Sequence, residues 1–169
     1  RDDEVLIKVH ATAINSWDWE LTPKDPSRVS LGRRADKRYR IMGADVAGTV
    51  ESVGKGVNRF KPGDEVFGDL SNSGWGGYAE YVCARERSLI IKPASMSFEE
   101  AAATPQAGLL AFQALRKKGG VQAGDSVLIN GAGGGVGSFA IQICNAWGAE
   151  VTGVDREDKA EFMRSLGAA

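Results

Sequence analysis

The sequence predicts a β-rich domain followed by an α/β domain that begins but is not completed within its 169 residues. Three observations predict it. Up to about Pro93, apolar and polar residues alternate with the period of half-buried strands. From Ser97 onward, a helix-start signal and the helical period replace that alternation. Near the C-terminus, Ser126-Val-Leu-Ile-Asn-Gly-Ala-Gly-Gly-Gly-Val-Gly137 reads as a strand that enters a glycine turn and a helix. The change of pattern near residue 95 divides the chain into a first domain, 1–95, and a second, 96–169.

In the first domain Val5, Ile7 and Val9 alternate with Lys8 and His10, and β-rich runs cover Ala44 to Val53, Glu65 to Phe67, Tyr78 to Cys83 and Leu89 to Ile91. Lys61-Pro-Gly-Asp64 separates two of them, with Pro presetting the second turn position and Gly permitting positive φ at the third. These short strands predict a small β-barrel or sandwich. In the second domain Ser97-Phe-Glu-Glu100 is a capping box that opens a short helix over Glu99 to Ala103. After Pro105 a longer helix runs to about Lys118, and a βαβα order follows.

The glycine turn carries the chemistry. Val127, Leu128 and Ile129 precede it, the apolar-periodic helix Ser138-Phe-Ala-Ile-Gln-Ile-Cys144 follows it, and a second strand, Glu150-Val-Thr-Gly-Val-Asp155, ends in a carboxylate about twenty positions on. That order is the fingerprint of a dinucleotide-binding unit. In the A-x-G-x-x-G phasing Ala132 closes the strand, Gly134 lets the backbone approach a pyrophosphate, and Gly137 lets helix and sheet pack closely. Gly135 and Val136 open the helix, whose unpaired N–H groups and positive dipole end attract phosphate. A plain βα turn without a ligand is the alternative reading. The implied cofactor is NAD(P)H. Asp155 favours NAD by accepting the ribose hydroxyls, whereas Arg156 and Lys159 favour the 2′-phosphate of NADP, so the choice between the two stays open.

A net charge of −1 excludes a global attraction to nucleic acid or to an anionic membrane. The basic run Arg28 to Arg40 is interleaved with acidic residues, lacks a stacking platform and reads as a solvated loop. Cys83 and Cys144 are isolated, which argues against a disulfide scaffold and against a zinc cluster. With no signal peptide or transmembrane run, the expectation is a soluble, cytoplasmic protein. The opening at Arg1 and the stop after two strands of a nucleotide-binding sheet predict a fragment of a longer chain.

The motifs Gly43-Ala-Asp-Val-Ala-Gly48, Val53-Gly-Lys-Gly-Val57, Phe60-Lys-Pro-Gly-Asp-Glu-Val-Phe-Gly68, Gly76-Gly-Tyr-Ala-Glu-Tyr81, Lys92-Pro93, Ala107-Gly-Leu109 and Leu166-Gly-Ala168 join the glycine turn in a family resemblance. The chain resembles the medium-chain dehydrogenase/reductase superfamily, in its zinc-free quinone oxidoreductase branch. The resemblance implies a GroES-like, partly open β-barrel domain, then the first part of a Rossmann domain, with the active site in the cleft between them. Zinc-dependent relatives carry a Cys in the loop that here reads Ile14-Asn-Ser-Trp-Asp18 and a His after Gly43; this chain has Asn15 and Ala44. No metal site is therefore expected, and His10, the single histidine, reads as a solvated face residue.

The implied reaction is hydride transfer from reduced nicotinamide to a quinone or an α,β-unsaturated carbonyl, a small-molecule substrate that needs no covalent nucleophile. Asn15 is the candidate donor to the acceptor carbonyl or the nicotinamide ribose, with a loop-capping role as its alternative. Trp17 and Trp19 are candidates for an aromatic wall or for core packing, and Asp18 for a catalytic or a structural carboxylate. Two positions depart from the branch. Leu110 stands where relatives commonly have Thr, and Asp155 where NADP-using relatives have a small neutral residue. Two other functions are compatible: an enoyl-thioester reductase, for which Tyr39 is the nearby candidate donor, and a nicotinamide-nucleotide binding protein with little turnover. The resemblance also implies a homodimer for the full-length protein.

Overall fold

A computed structural model describes residues 1–20, 41–117 and 120–169. The basic run at 28–40, Tyr39 and the side chain of Trp19 lie outside the described residues. The described part forms two compact units, Arg1–Gln106 and Ala107–Ala169.

The first unit is built on an antiparallel sheet of β1 (Glu4–Ala13), β2 (Asp45–Val53), β3 (Glu65–Asp69), β4 (Tyr81–Arg85) and β5 (Leu89–Ile91), in the order β4-β1-β2-β3-β5. The order is open, as expected of a partly open barrel. Val5, Ile7, Val46, Val50, Val66, Val82 and Leu89 meet on its inner face around Phe60 and Leu70. Alternation puts them there, because side chains two apart in a strand share a face. The β1–β2 register shifts between Leu6 and Ile7 and again between Val9 and Ala11, which bends β1 and changes which residues face inward. His10 is exposed, with its Nε2 3.0 Å from the Thr49 hydroxyl and its ring stacked on Phe98 at 4.4 Å.

The strand expected from Tyr78 begins only at Tyr81. The Gly77 and Tyr78 N–H groups donate to the carbonyls of Gly43 and Met42, while Ala79 N–H turns back to Gly76 O, so this stretch is spent on a loop rather than on the ladder. After β5, the buried Lys92 donates to the Met96 carbonyl at 2.6 Å and pairs with Glu65 at 2.9 Å. Helix α2 (Phe98–Ala103) then starts on the expected capping box, with Glu100 N–H on the Ser97 hydroxyl and Ser97 N–H on the Glu100 carboxylate. Its Ala101 and Ala102 pack on Ala47 and Phe67. This packing draws residues 96–106 into the first unit, so the compact division falls after Gln106 rather than after residue 95.

Helix α3 (Pro105–Arg116) leads into the second unit, where β6 (Ser126–Asn130) pairs in parallel with β7 (Glu150–Val154) through the crossover helix α4 (Gly135–Ala146), followed by α5 (Ala160–Ser165). Val127, Ile129 and Val151 turn one sheet face toward Ile141, Cys144, Met163 and Leu115. Leu128 points to the opposite face and is 68% exposed. Among the described residues, no helix is long and apolar enough to cross a membrane.

Candidate functional site

Two clusters hold the sequence-predicted residues, one in each unit. In the first unit β1 ends at Ala13, and the short helix α1 (Ser16–Glu20) turns the chain so that Asp18 faces back. Its buried carboxylate accepts the Asn15 N–H at 2.7 Å and the Gly43 N–H at 3.2 Å. Asp18 thus clamps the Asn15 loop to the segment before β2. Burial pushes the Tyr78 hydroxyl up to about 12, reinforced by its hydrogen bond to Asp18 and by the charges of Asp18 and Asp45. Tyr78 consequently stays protonated and able to donate. Trp17 is half-exposed and stacks on Trp75 with ring centroids 6.5 Å apart. Trp75 is held between Gly74 and Gly76 at φ +66°, a left-handed conformation for a non-glycine residue.

The Asn15 side chain turns inward, and its Nδ2 donates to Asp45 Oδ2 at 3.0 Å. Asp45 is fully buried at the start of β2. Its carboxylate also accepts the Gln106 N–H, at 3.2 and 3.3 Å to its two oxygens. Burial is the leading cause that raises this carboxyl from 3.8 to about 6; the hydrogen bonds from Asn15 and Gln106 oppose the rise, and the nearby Asp69 and Asp18 add to it. A folded-state value above the unfolded one means that the folded protein binds the extra proton, so its stabilising share is complete below about pH 4 and is lost as pH rises through about 6. At neutral pH the charge opposes folding by roughly 3 kcal/mol. Thermal unfolding of parent and Asp45→Asn proteins between pH 7 and pH 5 is expected to show a stabilising contribution on acidification in the parent that the variant lacks; parallel profiles would contradict it.

In the second unit Gly131 and Ala132 N–H both donate to the Val154 carbonyl, which ties the turn to β7. Gly134 sits at the N-cap of α4 in an extended conformation with no side-chain cap, so the first helical N–H groups, at Gly135, Val136 and Gly137, point out of the helix start. A Cβ on Gly137 would lie 2.3 Å from the Gly131 carbonyl oxygen and 2.6 Å from Ala132 Cα. The start of α4 and the turn therefore approach as closely as glycine alone allows.

Asp155 closes the turn from β7. It accepts Gly133 N–H at 3.0 Å and Arg156 N–H at 2.8 Å and pairs with Lys159 at 3.3 Å; the Arg156 bond is the leading cause that holds its carboxyl below the usual range. Arg156 itself pairs with Asp158 at 2.8 Å. The two basic residues weighed against Asp155 are thus both ion-paired. A recess of about 600 Å³ lined by Arg116, Gly120, Val121, Gln122, Ala123 and Trp147 contains none of the predicted site residues. Among the described residues, no group of three or more His, Cys, Asp or Glu side chains is arranged to hold a metal ion.

Comparison with known proteins decides the family. Residues 1–94 match the alcohol dehydrogenase GroES-like domain. The chain is 38% identical over 180 residues to the mitochondrial NAD(P)H oxidoreductase RTN4IP1 of Bos taurus, covering 98% of this chain and 45% of that protein. It is 39% identical over 173 residues to the chloroplast envelope quinone oxidoreductase homolog of Arabidopsis thaliana, covering 99% and 51%. The chain belongs to the medium-chain dehydrogenase/reductase superfamily, in its quinone oxidoreductase-like branch. Among solved structures of that superfamily, the Escherichia coli quinone oxidoreductase complexed with NADPH superposes with a TM-score of 0.83 at 31% identity, covering 99% of this chain and 50% of that one. This quinone oxidoreductase-like chain spans about half the length of the curated relatives it matches.

Sequence reasoning passed over three residues of the first cluster in this dehydrogenase/reductase chain. Asp45 stood inside the Gly43–Gly48 motif without a role, Tyr78 inside Gly76–Tyr81, and Gln106 outside any motif. The available signal for Asp45 was an acidic residue in a run otherwise apolar enough to be buried, since a buried carboxylate needs partners.

Proposed function

We propose that the chain is the nucleotide-holding and first catalytic portion of a zinc-independent NAD(P)H-dependent reductase of quinones or α,β-unsaturated carbonyls. The observation that carries this reading is the uncapped start of α4, packed on the turn that follows β6 so tightly that Gly137 admits no side chain. Such a helix start is a ready anion site, and a dinucleotide pyrophosphate fits it. Gly135, Val136 and Gly137 would hold the phosphates, with Asp155 and Lys159 at the adenosine ribose. When bound, the cofactor supplies a hydride.

The chain's own contribution is positioning. Asn15 has two amide hydrogens; one is given to Asp45, which leaves the second to bind an acceptor's carbonyl oxygen. Asn15 and Ala44 offer neither thiolate nor imidazole, which supports zinc independence. The free thiols Cys83 and Cys144 fit a reducing compartment such as the cytoplasm. A homodimer of the complete gene product completes the reading.

The test follows nicotinamide absorbance in the complete gene product with quinones, enals and an enoyl thioester, alongside metal analysis. Turnover of quinones or enals without stoichiometric zinc is the expected result. Reduction of the thioester alone would move the assignment to enoyl-thioester reduction, and nucleotide binding without turnover to a binding role.

Cofactor preference has its own test. Replacing Asp155 by Ser removes a carboxylate that repels a 2′-phosphate and releases Lys159 to meet it. A charge-assisted hydrogen bond contributes about 1.5–3 kcal/mol, so the ratio of NADH to NADPH dissociation constants is expected to move toward NADPH by about tenfold or more. An unchanged ratio would remove Asp155 from the binding site.

A further inference from the structure

We infer that Asp45 is the positioning residue for Asn15: its buried carboxylate fixes the Asn15 amide in the orientation a reductase needs, and protonation of that carboxylate releases it. The inference rests on the reductase reading above for its consequence in catalysis, but not for the linkage itself. The linkage is in the hydrogen bonds. Asn15 Nδ2 donates to Asp45 Oδ2 at 3.0 Å, which places the amide nitrogen inward and directs its remaining hydrogen away from the carboxylate. An ionised carboxylate only accepts, so it selects this face of the amide over the flipped one, which would bring two oxygens together.

The same carboxylate is fixed from the other side by Gln106 N–H at the start of α3, and the Asp45 carbonyl accepts the Thr12 hydroxyl at 2.7 Å. One buried acid therefore joins three separate stretches of chain: the end of β1 with its loop, the start of β2, and the first turn of α3. Protonation adds a hydrogen where the donors from Asn15 and Gln106 already converge. A neutral carboxyl becomes a donor in its turn, and the flipped amide, with its oxygen toward Asp45, becomes the better partner. The network has little reserve to resist this, because the Gln106 side-chain nitrogen is already buried without a hydrogen-bond partner among the described residues.

Burial first, and then the groups that face Asp45, set the pH at which this happens. Asp69 on β3 lies directly opposite in the ladder, Asp18 on α1 adds a second negative charge, and Tyr78 contributes a neutral phenol. Among the described residues no cation is among the groups that shift Asp45; the two carboxylates favour its neutral form against the Asn15 and Gln106 hydrogen bonds, and release falls near pH 6.

The experiment follows Asp45 and Asn15 in the parent chain by NMR, recording the Asp45 carboxyl carbon and the Asn15 side-chain amide from about pH 7.5 to pH 4.5. The expected result is a common midpoint near pH 6. In the complete gene product, kcat/KM for the reducible acceptor is then expected to fall about tenfold per pH unit below that midpoint, while the Asp45→Asn variant loses activity at neutral pH together with this acid limb. An Asn15 amide that stays still while Asp45 titrates overturns the inference, and so does an Asp45→Asn variant that keeps the parental pH profile. Coupled Asn15 and Asp45 resonances in a protein that reduces no acceptor at any pH would uphold the positioning and reject the reductase reading.

Discussion

Replacing Gly137 by alanine is expected to abolish nicotinamide-nucleotide binding, whereas the same change at Gly135, two residues earlier on the same helix, is expected to leave it intact. The difference is steric. At Gly137 a methyl group would stand 2.3 Å from the Gly131 carbonyl oxygen and 2.8 Å from the Ala132 carbonyl carbon, all backbone atoms of the turn itself. These atoms move only if α4 lifts away from β6 or the turn reshapes. Overpacking of this kind costs about 1–3 kcal/mol, and the displacement falls on the N–H groups assigned to the pyrophosphate. At Gly135 the nearest atom to an added methyl is Ala107 Cβ at 3.8 Å, an ordinary contact. Thermal unfolding and equilibrium titration with NADH and NADPH on both variants check the pair. Nucleotide affinity retained in Gly137→Ala would show that the turn is not the phosphate site, and affinity lost equally in both variants would show that any perturbation of the helix start suffices.

The second large effect is expected at Asp18. Its alanine variant leaves the Asn15 and Gly43 N–H groups without their charged acceptor in a buried place. Hydrogen bonds to a charged group contribute about 1.5–3 kcal/mol each, so a loss of about 3 kcal/mol or more in the stability of the first unit is expected, with the Asn15 loop freed from the segment before β2. Asp18→Asn keeps one acceptor oxygen and should recover part of that loss. A catalytic carboxylate would behave differently, with stability preserved and turnover lost in both variants. Chemical denaturation, together with the acceptor kinetics of the complete gene product, separates the two cases.

How far the sequence carried the reading depended on whether a signal was local. The glycine turn and the Ser97–Glu100 capping box are short motifs whose residues satisfy one another within a few positions, and both stand where they were read. The Asn15 and Ala44 substitutions were legible because the motifs around them fix the register of comparison. Asp45 was not legible as a site residue, since its partners Asn15 and Gln106 lie 30 and 61 positions away and meet it only through the sheet and the packing of α2. The compact division after Gln106 was not legible for a related reason. A helical pattern announces α2, but nothing in that pattern says that Ala101 and Ala102 pack on Phe67 rather than on the nucleotide-binding sheet. The pairing of Arg156 with Asp158 and of Lys159 with Asp155 was not legible, because carboxylates near in sequence need not be near in space; here they are.

The stacked rings of Trp17 and Trp75 provide a spectroscopic handle on this half of the molecule. Two indoles 6.5 Å apart and nearly parallel, with an interplanar angle of 26°, couple their electronic transitions and should contribute an exciton couplet to the circular dichroism. One ring rides on the helix that carries Asp18 and is partly open to solvent, while the other is buried in a glycine-flanked loop. The amplitude of that couplet therefore reads the posture of the Asn15 loop directly, without label or ligand.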